Sequence, residues 1–218
     1  MFLGHFGVGF AGKKAAPALS LGTLFLAVQW ADLLFFVLVL AGVEHFRIAP
    51  GATAVTPMDF YDYPWSHGLV ALLVWGVVFA VGLRFFGKPA VAAVVFGVGV
   101  VSHWFLDALV HRADMPVFLG GPRVGLGLWN SVPATVIAEA LVFGGGLAVY
   151  LKTTRARDRT GNWALWGLVV FLAAAWIASV AGPPPPNEGA VAASGVGLWL
   201  LVPWGYWIDR HRAIVGAA

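Results

Sequence analysis

Cysteine is absent from the 218-residue sequence, and charged side chains are scarce. The absence of cysteine excludes disulfide bonds and thiolate-ligated metal sites. Only 11% of the residues are Asp, Glu, Lys or Arg, whereas a soluble domain carries about 25%, and 60% are hydrophobic. Because so few charges cannot cover the surface of a soluble fold, the composition predicts a single membrane domain over residues 1–218.

A dense basic segment is also lacking, although the net charge is +3 and the pI is near 9.5. The Lys and Arg residues are spread over short loops, which argues against nucleic acid as a partner. The apolar segment 1–12 has no basic residue before it, and Lys13 and Lys14 follow it. This order is wrong for a cleaved signal peptide, so we expect a retained short half-helix or an interfacial helix.

Long uninterrupted apolar runs occur six times, each close to or above the roughly 20 residues that a transmembrane helix needs. Their residues do not alternate between apolar and polar, which excludes the strands of a membrane barrel. The predicted spans are 18–43, 66–86, 89–110, 133–151, 163–181 and 190–208. The sequence therefore predicts an all-α bundle of six transmembrane helices.

Lys and Arg separate the two sides of this bundle. Ten lie at one set of helix ends: Lys13, Lys14, Arg84, Lys88, Lys152, Arg155, Arg157, Arg159, Arg210 and Arg212. Three lie at the opposite ends: Arg47, Arg112 and Arg123. The positive-inside rule places the first set in the cytoplasm. The prediction is an N-in, C-in path with loops 44–65 and 111–131 outside.

Five acidic residues and histidines fall inside the predicted spans, where an ionisable group costs about 2.5–3.5 kcal/mol on the insertion scale. They are Asp32, His67, His103, Asp107 and Glu139. The helical rise places Asp32 about 16 Å and His103 about 10 Å from the outer ends of their helices. All five belong to the outer half of the membrane. This one-sided distribution indicates a functional site rather than scattered structural polar groups.

The spacing of these residues is typical of a metal site. His103 and Asp107 are four residues apart and share one helix face, which His111 continues. With Asp32 and His67 they supply two imidazoles and two carboxylates, which divalent metals accept, Zn²⁺ first among them. A divalent cation also compensates the charge of the buried carboxylates. The sequence thus predicts a divalent-metal cofactor.

Each of these features also has a structural alternative. Asp32 could hydrogen-bond a neighbouring helix, and His103 could bond Asp107 directly. Ser66 could serve only as a helix N-cap. His5 can approach Asp32 if segment 1–12 enters the membrane, and cannot if the segment lies on the inner surface.

The remaining polar residues receive more general roles. Glu139 is the candidate general base or an additional metal ligand. Arg112 and Arg123 are candidates for binding a substrate phosphate, with a lipid head group as the alternative ligand. His45 and His211 lie at loop ends and are interpreted as ordinary interfacial residues.

Four short motifs in the first half of the chain resemble the YdjM-type family of inner-membrane proteins. They are Gly4-His5-Phe6, Ala31-Asp32-Leu33, Ser66-His67-Gly68 and Ser102-His103-Trp104-Phe105-Leu106-Asp107. The family is described as metal-dependent hydrolases, with phospholipase activity among the expectations. The order of these residues is also similar to the metal-ligand order of zinc-dependent phospholipase C enzymes.

That resemblance implies one zinc held by Asp32, His67, His103 and Asp107. His5, and with it His111, would then belong to an outer shell or a second metal. The chain departs from the family where a second acid is common near the first helix, because leucines follow Asp32. The family's Thr-His-Ser also reads Ser-His-Gly here.

The function expected from these residues is hydrolysis of a phosphate ester or lipid-like substrate at the outer leaflet of a bacterial inner membrane. A proton- or metal-ion transporter or channel is the alternative, because intramembrane acids and histidines also mark transport paths. A transporter should carry polar groups across the whole membrane and often shows repeated halves, and the sequence displays neither. A non-catalytic scaffold with a structural metal is the third possibility.

Overall fold

The computed structural model describes residues 1–216 and shows a mostly helical protein. Residues 217–218 of the predicted domain lie outside the described part. The helices are α1 (Leu3–Ala15), α2 (Leu21–Val28), α3 (Trp30–Leu40), α4 (Pro64–His67), α5 (Leu69–Phe85), α6 (Ala90–Val110), α7 (Val132–Thr153), α8 (Arg159–Ala181), α9 (Glu188–Val196) and α10 (Leu201–Arg210). A short 3₁₀ turn joins α9 to α10.

Three small antiparallel sheets accompany the helices, and the sequence did not predict them. The first pairs β1 (His45–Ile48) with β2 (Met58–Asp62), in the loop after α3. The second pairs β3 (Met115–Pro116) with β4 (Arg123–Val124), in the loop after α6. The third pairs β5 (Thr154–Ala156) with β6 (Arg212–Ile214) and ties the end of α7 to the end of α10. The two long loops predicted outside are therefore folded.

Four helical segments within residues 1–216 are long and apolar enough to cross a membrane. They are α6, α7, α8 and the stretch Glu188–Arg210 that comprises α9 and α10. A fifth span results if α2 and α3, which meet at a bend of 59°, count as one. Helix α5 has only 17 residues, fewer than the roughly 20 of a typical span. The structure therefore supports up to five spans, and the six-helix count stays a prediction.

Two of the predicted spans differ from the helices that form. Segment 18–43 is interrupted at Gln29, where α2 ends and α3 begins. Segment 66–86 starts with the separate turn α4, and α5 begins after Gly68. Continuous hydropathy hides both interruptions, because apolar residues flank each of them.

Helix α1 is buried inside the bundle against α7, α2 and α6. Phe6 and Phe10 are completely inaccessible. The backbones of α1 and α7 approach so closely that a Cβ on Gly146 would lie 1.9 Å from the carbonyl oxygen of Gly7, and glycine is the residue that permits such approach in membranes. At the other end of α1, Lys13 Nζ donates to Asp209 Oδ2 at 2.7 Å. Of the two alternatives for this segment, the structure therefore has the inserted half-helix.

The outward surface of the bundle is apolar, as lipid contact requires. Valines such as Val77, Val98 and Val170 are more than 60% exposed. The interior instead contains aromatic clusters, in which Phe25 of α2 makes edge contacts with two phenylalanines of α1. Because water would penalise so many exposed valines, this surface identifies a membrane protein.

Candidate metal centre

Helices α3, α4 and α6 bring two histidines and two aspartates together. Asp32 lies in the first turn of α3, His67 ends α4, and His103 and Asp107 share the inner face of α6. His67 Nε2 lies 3.5 Å from Asp32 Oδ1 and 3.7 Å from Asp107 Oδ2. His103 Nε2 lies 3.8 Å and 3.1 Å from the same two oxygens. The four residues predicted as ligands thus surround one point.

These separations suit a single tetrahedral ion. Zinc–nitrogen and zinc–oxygen bonds of about 2.0–2.1 Å give tetrahedral edges of roughly 3.3–3.4 Å. The four His-to-Asp distances range from 3.1 to 3.8 Å and bracket that value. The closest donors form two sets of three that share His103, one with Asp32 and His67 and the other with His5 and Asp107. Two carboxylates and two neutral imidazoles would also balance a divalent charge in a buried place. The donor set therefore fits a divalent cation.

The orientation of His103 is set by a hydrogen bond to the backbone. His103 Nδ1 lies 2.8 Å from the carbonyl oxygen of Val28, and that carbonyl can only accept, so Nδ1 carries a hydrogen. Buried Nε2 faces the cluster, 3.1 Å from Asp107 Oδ2, and makes no hydrogen bond of good geometry among residues 1–216. This close approach agrees with the direct pairing of His103 and Asp107 that was the alternative, and it also directs Nε2 at the point where a metal ion would bind.

The orientation of His67 is set by a relay that the sequence analysis missed. Ser66 Oγ lies 2.5 Å from Glu44 Oε2, to which it donates, and 2.7 Å from His67 Nδ1, from which it then accepts. Glu44 is fully buried and also accepts from the backbone amides of Trp65 and Ser66. His67 Nε2 is thereby left as an acceptor facing the cluster, as a metal-binding imidazole requires.

Ser66 therefore has a different role from the helix N-cap that was the alternative. Helix α5 has Gly68 at its N-cap position, without a side-chain cap. Glu44 and Ser66 lie 22 positions apart in the sequence, with a hairpin between them. No short sequence motif therefore connects the two residues. Only the fold of that loop reveals the relay.

His5 of α1 contacts the cluster at the same face of α6. Its ring stacks on His103 with 3.7 Å between centroids. His5 Nε2 lies 3.0 Å from Asp107 Oδ1, the carboxylate oxygen turned away from His67 and His103. The Met1 amino nitrogen also donates to that oxygen. His5 thus contacts Asp107 rather than Asp32, in a position that suits either an outer shell or a second ion.

His111 lies beside the cluster, one turn beyond Asp107. Its Nδ1 is 2.9 Å from Asp114 Oδ1, whereas its Nε2 is 3.9 Å from Asp107 Oδ2. Burial lowers the pKa of His111. Tyr63 also donates to Asp114, and burial followed by the nearby carboxylates raises the pKa of Tyr63. Both groups are therefore neutral near pH 7, and His111 occupies an outer-shell position.

Glu139 of α7 is buried near the cluster and binds the start of α1. Its two carboxylate oxygens accept from the backbone amides of Phe2 and Gly4, each at 2.7 Å. The Met1 nitrogen, just before these two amides, contacts Asp107. Residues 1–4 therefore lie between Glu139 on one side and the predicted ligand Asp107 on the other. Anchoring α1 is a role that the sequence did not predict for Glu139, and its catalytic role stays a prediction.

Arg112 and Arg123 are occupied by the folded outer loops. Arg112 pairs with Asp59 and Asp114. Arg123 donates to the carbonyl oxygen of Tyr61. The described residues that line the cavity next to the cluster include neither arginine. Phosphate binding by either one stays a prediction, and Arg112 would have to leave its carboxylate partners to do so.

The other two histidines form exposed pairs away from the cluster. His45 Nδ1 lies 3.2 Å from Asp62, with 45% of the His45 side chain exposed. His211 Nδ1 lies 2.7 Å from Asp158, and this hydrogen bond lowers the pKa of Asp158. Their positions agree with the ordinary interfacial role expected for both, which makes them suitable controls.

A cavity of about 550 Å³ opens directly onto the cluster. Asp32, His67, Asp107, His111 and Glu139 line its polar end. Side chains of α3, α8 and α9, of the β1–β2 hairpin and of the turn before α10 form most of the remaining wall, which is mainly apolar. The volume lies within the roughly 300–1,000 Å³ of small-molecule sites.

The fold and the site define a membrane protein whose bundle contains a buried His/Asp cluster able to hold a metal ion. Comparisons with protein-family models, with curated proteins and with solved structures found no match to the chain. The resemblance to the YdjM-type family therefore rests on the four short motifs alone, and the activity that it implies is taken up as a proposal.

Proposed function

We propose that this protein is a metal-dependent hydrolase that cleaves a phosphate ester, and that its divalent ion is zinc. The observation that carries the proposal is the convergence of four candidate donors: buried His103 Nε2 has no hydrogen-bond partner among residues 1–216, and it lies 3.1 Å from Asp107 Oδ2 and 3.8 Å from Asp32 Oδ1, with His67 Nε2 beside the same two carboxylates. A cation held between these nitrogen and oxygen atoms would satisfy them together. The adjoining cavity gives a substrate access to the same point.

Asp32, His67, His103 and Asp107 are the proposed ligands, and a divalent ion bound there would activate a water and polarise a phosphoryl oxygen. Val28 and Ser66 fix the two imidazoles so that both Nε2 atoms face the cluster. Glu139 is the proposed general base, since each of its oxygens keeps a lone pair free after accepting one amide. In hydrolysis, the water oxygen would attack phosphorus while Glu139 takes a proton from it. The ester P–O bond would break with its electron pair on the leaving oxygen, which receives that proton from Glu139.

A metal-removal experiment tests this proposal. Purified protein treated with a chelator should lose hydrolysis of a nitrophenyl phosphate ester, and one equivalent of Zn²⁺ should restore it. In the same assay, Glu139→Gln should retain zinc and lose about 10²–10⁴-fold in kcat, the usual contribution of a general base. Elemental analysis and nitrophenolate release are the measurements. Wild-type protein that binds no divalent metal would refute the proposal.

We also propose that the bundle lies in a bacterial inner membrane, with both termini in the cytoplasm and the site toward the outer face. The ten-to-three division of Lys and Arg supports this orientation. The fold supports it further, because β5 and β6 join Arg-rich segments at one end of the bundle, while the cluster lies toward the other.

Cysteine labelling tests the orientation without background, because the native chain has no cysteine. Ala54 lies exposed in the loop between β1 and β2, and Arg157 lies exposed after β5. Ala54→Cys should react with a membrane-impermeant maleimide in intact cells, whereas Arg157→Cys should react only after permeabilisation. The reverse pattern would invert the topology and move the site to the cytoplasmic face.

Metal-ion or proton transport is the second candidate, and the bend between α2 and α3 favours it. Discontinuous helices are common at ion sites in transporters, and buried Gln29 at the bend has an amide without a hydrogen-bond partner among residues 1–216. Zinc binding without hydrolysis of any phosphate ester, together with zinc uptake into proteoliposomes, would favour this candidate.

A further inference from the structure

The cavity extends well beyond the cluster, along two helical stripes. On α8 the stripe consists of Phe171, Ala175, Trp176 and Ser179, and on α9 and the 3₁₀ turn after it of Val191, Ser194, Gly195 and Leu198. Each set recurs at helical spacing and so occupies one helix face. Eight residues of α8 correspond to about 12 Å along the helix axis. The cavity is therefore an elongated slot with a polar end and an apolar body.

This slot reaches the surface that faces lipid. Phe171 and Leu200 both line it, yet they are 47% and 70% exposed on the outside of the bundle. The neighbouring Val170 is 66% exposed. Since a membrane-spanning helix exposes such residues to acyl chains rather than to water, the slot opens sideways toward the bilayer.

The size of the slot suits one small or medium-sized molecule. A volume of about 550 Å³ lies within the range of sites that hold such ligands. Most of the wall away from the cluster is apolar, so the polar part of a bound molecule is expected to lie at the cluster.

We propose that the substrate is a membrane-resident phosphate ester with one apolar chain. The chain enters between α8 and α9 from the lipid and lies along the two stripes, while the phosphate lies at the His/Asp cluster. This inference rests on the proposed hydrolase function and specifies its substrate class. Because a bilayer is as apolar as the slot, burial of a chain there adds little free energy by itself, and the slot is expected to act by directing the phosphate of a lipid-borne ester to the cluster.

Paired tryptophan variants on α8 test the slot. Ala175 lines it, whereas Ala174, the preceding residue, is exposed on the outer surface. Two nitrophenyl phosphodiesters that differ only in carrying a hexadecyl or an ethyl group serve as substrates for detergent-solubilised, zinc-loaded protein. Ala175→Trp should lower kcat/KM for the hexadecyl ester by about tenfold or more, the effect of obstructing an apolar pocket, and leave the ethyl ester and the zinc content unchanged. Ala174→Trp should change neither rate.

The outcomes separate the two proposals. Wild-type protein that hydrolyses neither ester would overturn the hydrolase function, and the substrate class with it. Hydrolysis of both esters with equal losses in the two variants, or with no loss in Ala175→Trp, would overturn the slot alone. Partitioning into detergent micelles is the same for both variants, so it cannot produce the expected difference.

Discussion

Replacement of His103 by alanine is expected to give a folded, membrane-inserted protein that carries no divalent ion and has no hydrolytic activity. His103 is one of the four proposed ligands, and the alanine variant would leave three donors for the metal ion. The loss of metal affinity should exceed the roughly 10–100-fold that follows loss of an outer-shell partner. Zinc per chain, measured by elemental analysis, and nitrophenyl ester hydrolysis are the two readouts.

The fold should survive this change. Loss of the imidazole leaves the Val28 carbonyl without its donor, at a cost of about 1–3 kcal/mol, and removes the ring on which His5 stacks, while the apolar contacts of α6 with α5 and α2 remain. Asp107→Asn, which preserves side-chain shape, serves as a second variant and should lose zinc as well. His45→Ala is the control, because His45 pairs with Asp62 at the exposed hairpin. Normal zinc content in His103→Ala would contradict the proposed centre.

Glu44→Gln is expected to weaken zinc binding by about 10–100-fold, although Glu44 itself is not a proposed ligand. Glu44 holds the Ser66 hydroxyl at 2.5 Å, and Ser66 in turn receives the His67 Nδ1–H. In Glu44→Gln, an amide nitrogen at the position of Oε2 would donate to the Ser66 hydroxyl instead of accepting from it. His67 would then be free to rotate or to carry its hydrogen on Nε2 rather than Nδ1. Competition with a chromophoric chelator gives the zinc dissociation constant.

A matched pair of variants distinguishes this relay from general destabilisation of the loop. Ser66→Ala breaks the relay but leaves Glu44 bound to the two backbone amides, and it should weaken zinc to a similar extent. Glu188→Gln alters a carboxylate that accepts from the backbone of Ile48 in the same hairpin, away from the cluster. An equal loss of affinity in Glu188→Gln, or wild-type affinity in Glu44→Gln, would remove Glu44 from the site.

The proximity of the proposed ligands could be predicted because it depends on simple geometry. Asp32, His67, His103 and Asp107 all fall in the outer half of the predicted spans, and a bilayer penalises such residues unless they meet. The four-residue spacing of His103 and Asp107 then fixes the shared face. These are local properties of the chain, which hydropathy and helical periodicity report directly.

Other parts of the site depend on contacts that periodicity does not report. Glu44 reaches Ser66 only because the intervening loop folds into a hairpin. Hydropathy alone does not distinguish a surface position of α1 from an interior one. The close backbone contact between Gly7 and Gly146 is what buries α1 in the bundle. The sequence predicted Arg112 to bind a phosphate. It could not show that folding of the outer loops pairs Arg112 with Asp59 instead.

The burial of α1 against α7 has a consequence for the order in which the protein is made. The cluster residues of α3, α4 and α6 have all been synthesised once Asp107 is made. Helix α1 cannot complete its packing until its main neighbour α7, which begins at Val132, has entered the membrane. At about 5–20 residues per second, α1 waits on the order of ten seconds at the ribosome exit or the membrane surface. During biogenesis, the centre therefore passes through a stage in which it is open on the side that His5 and Glu139 later close.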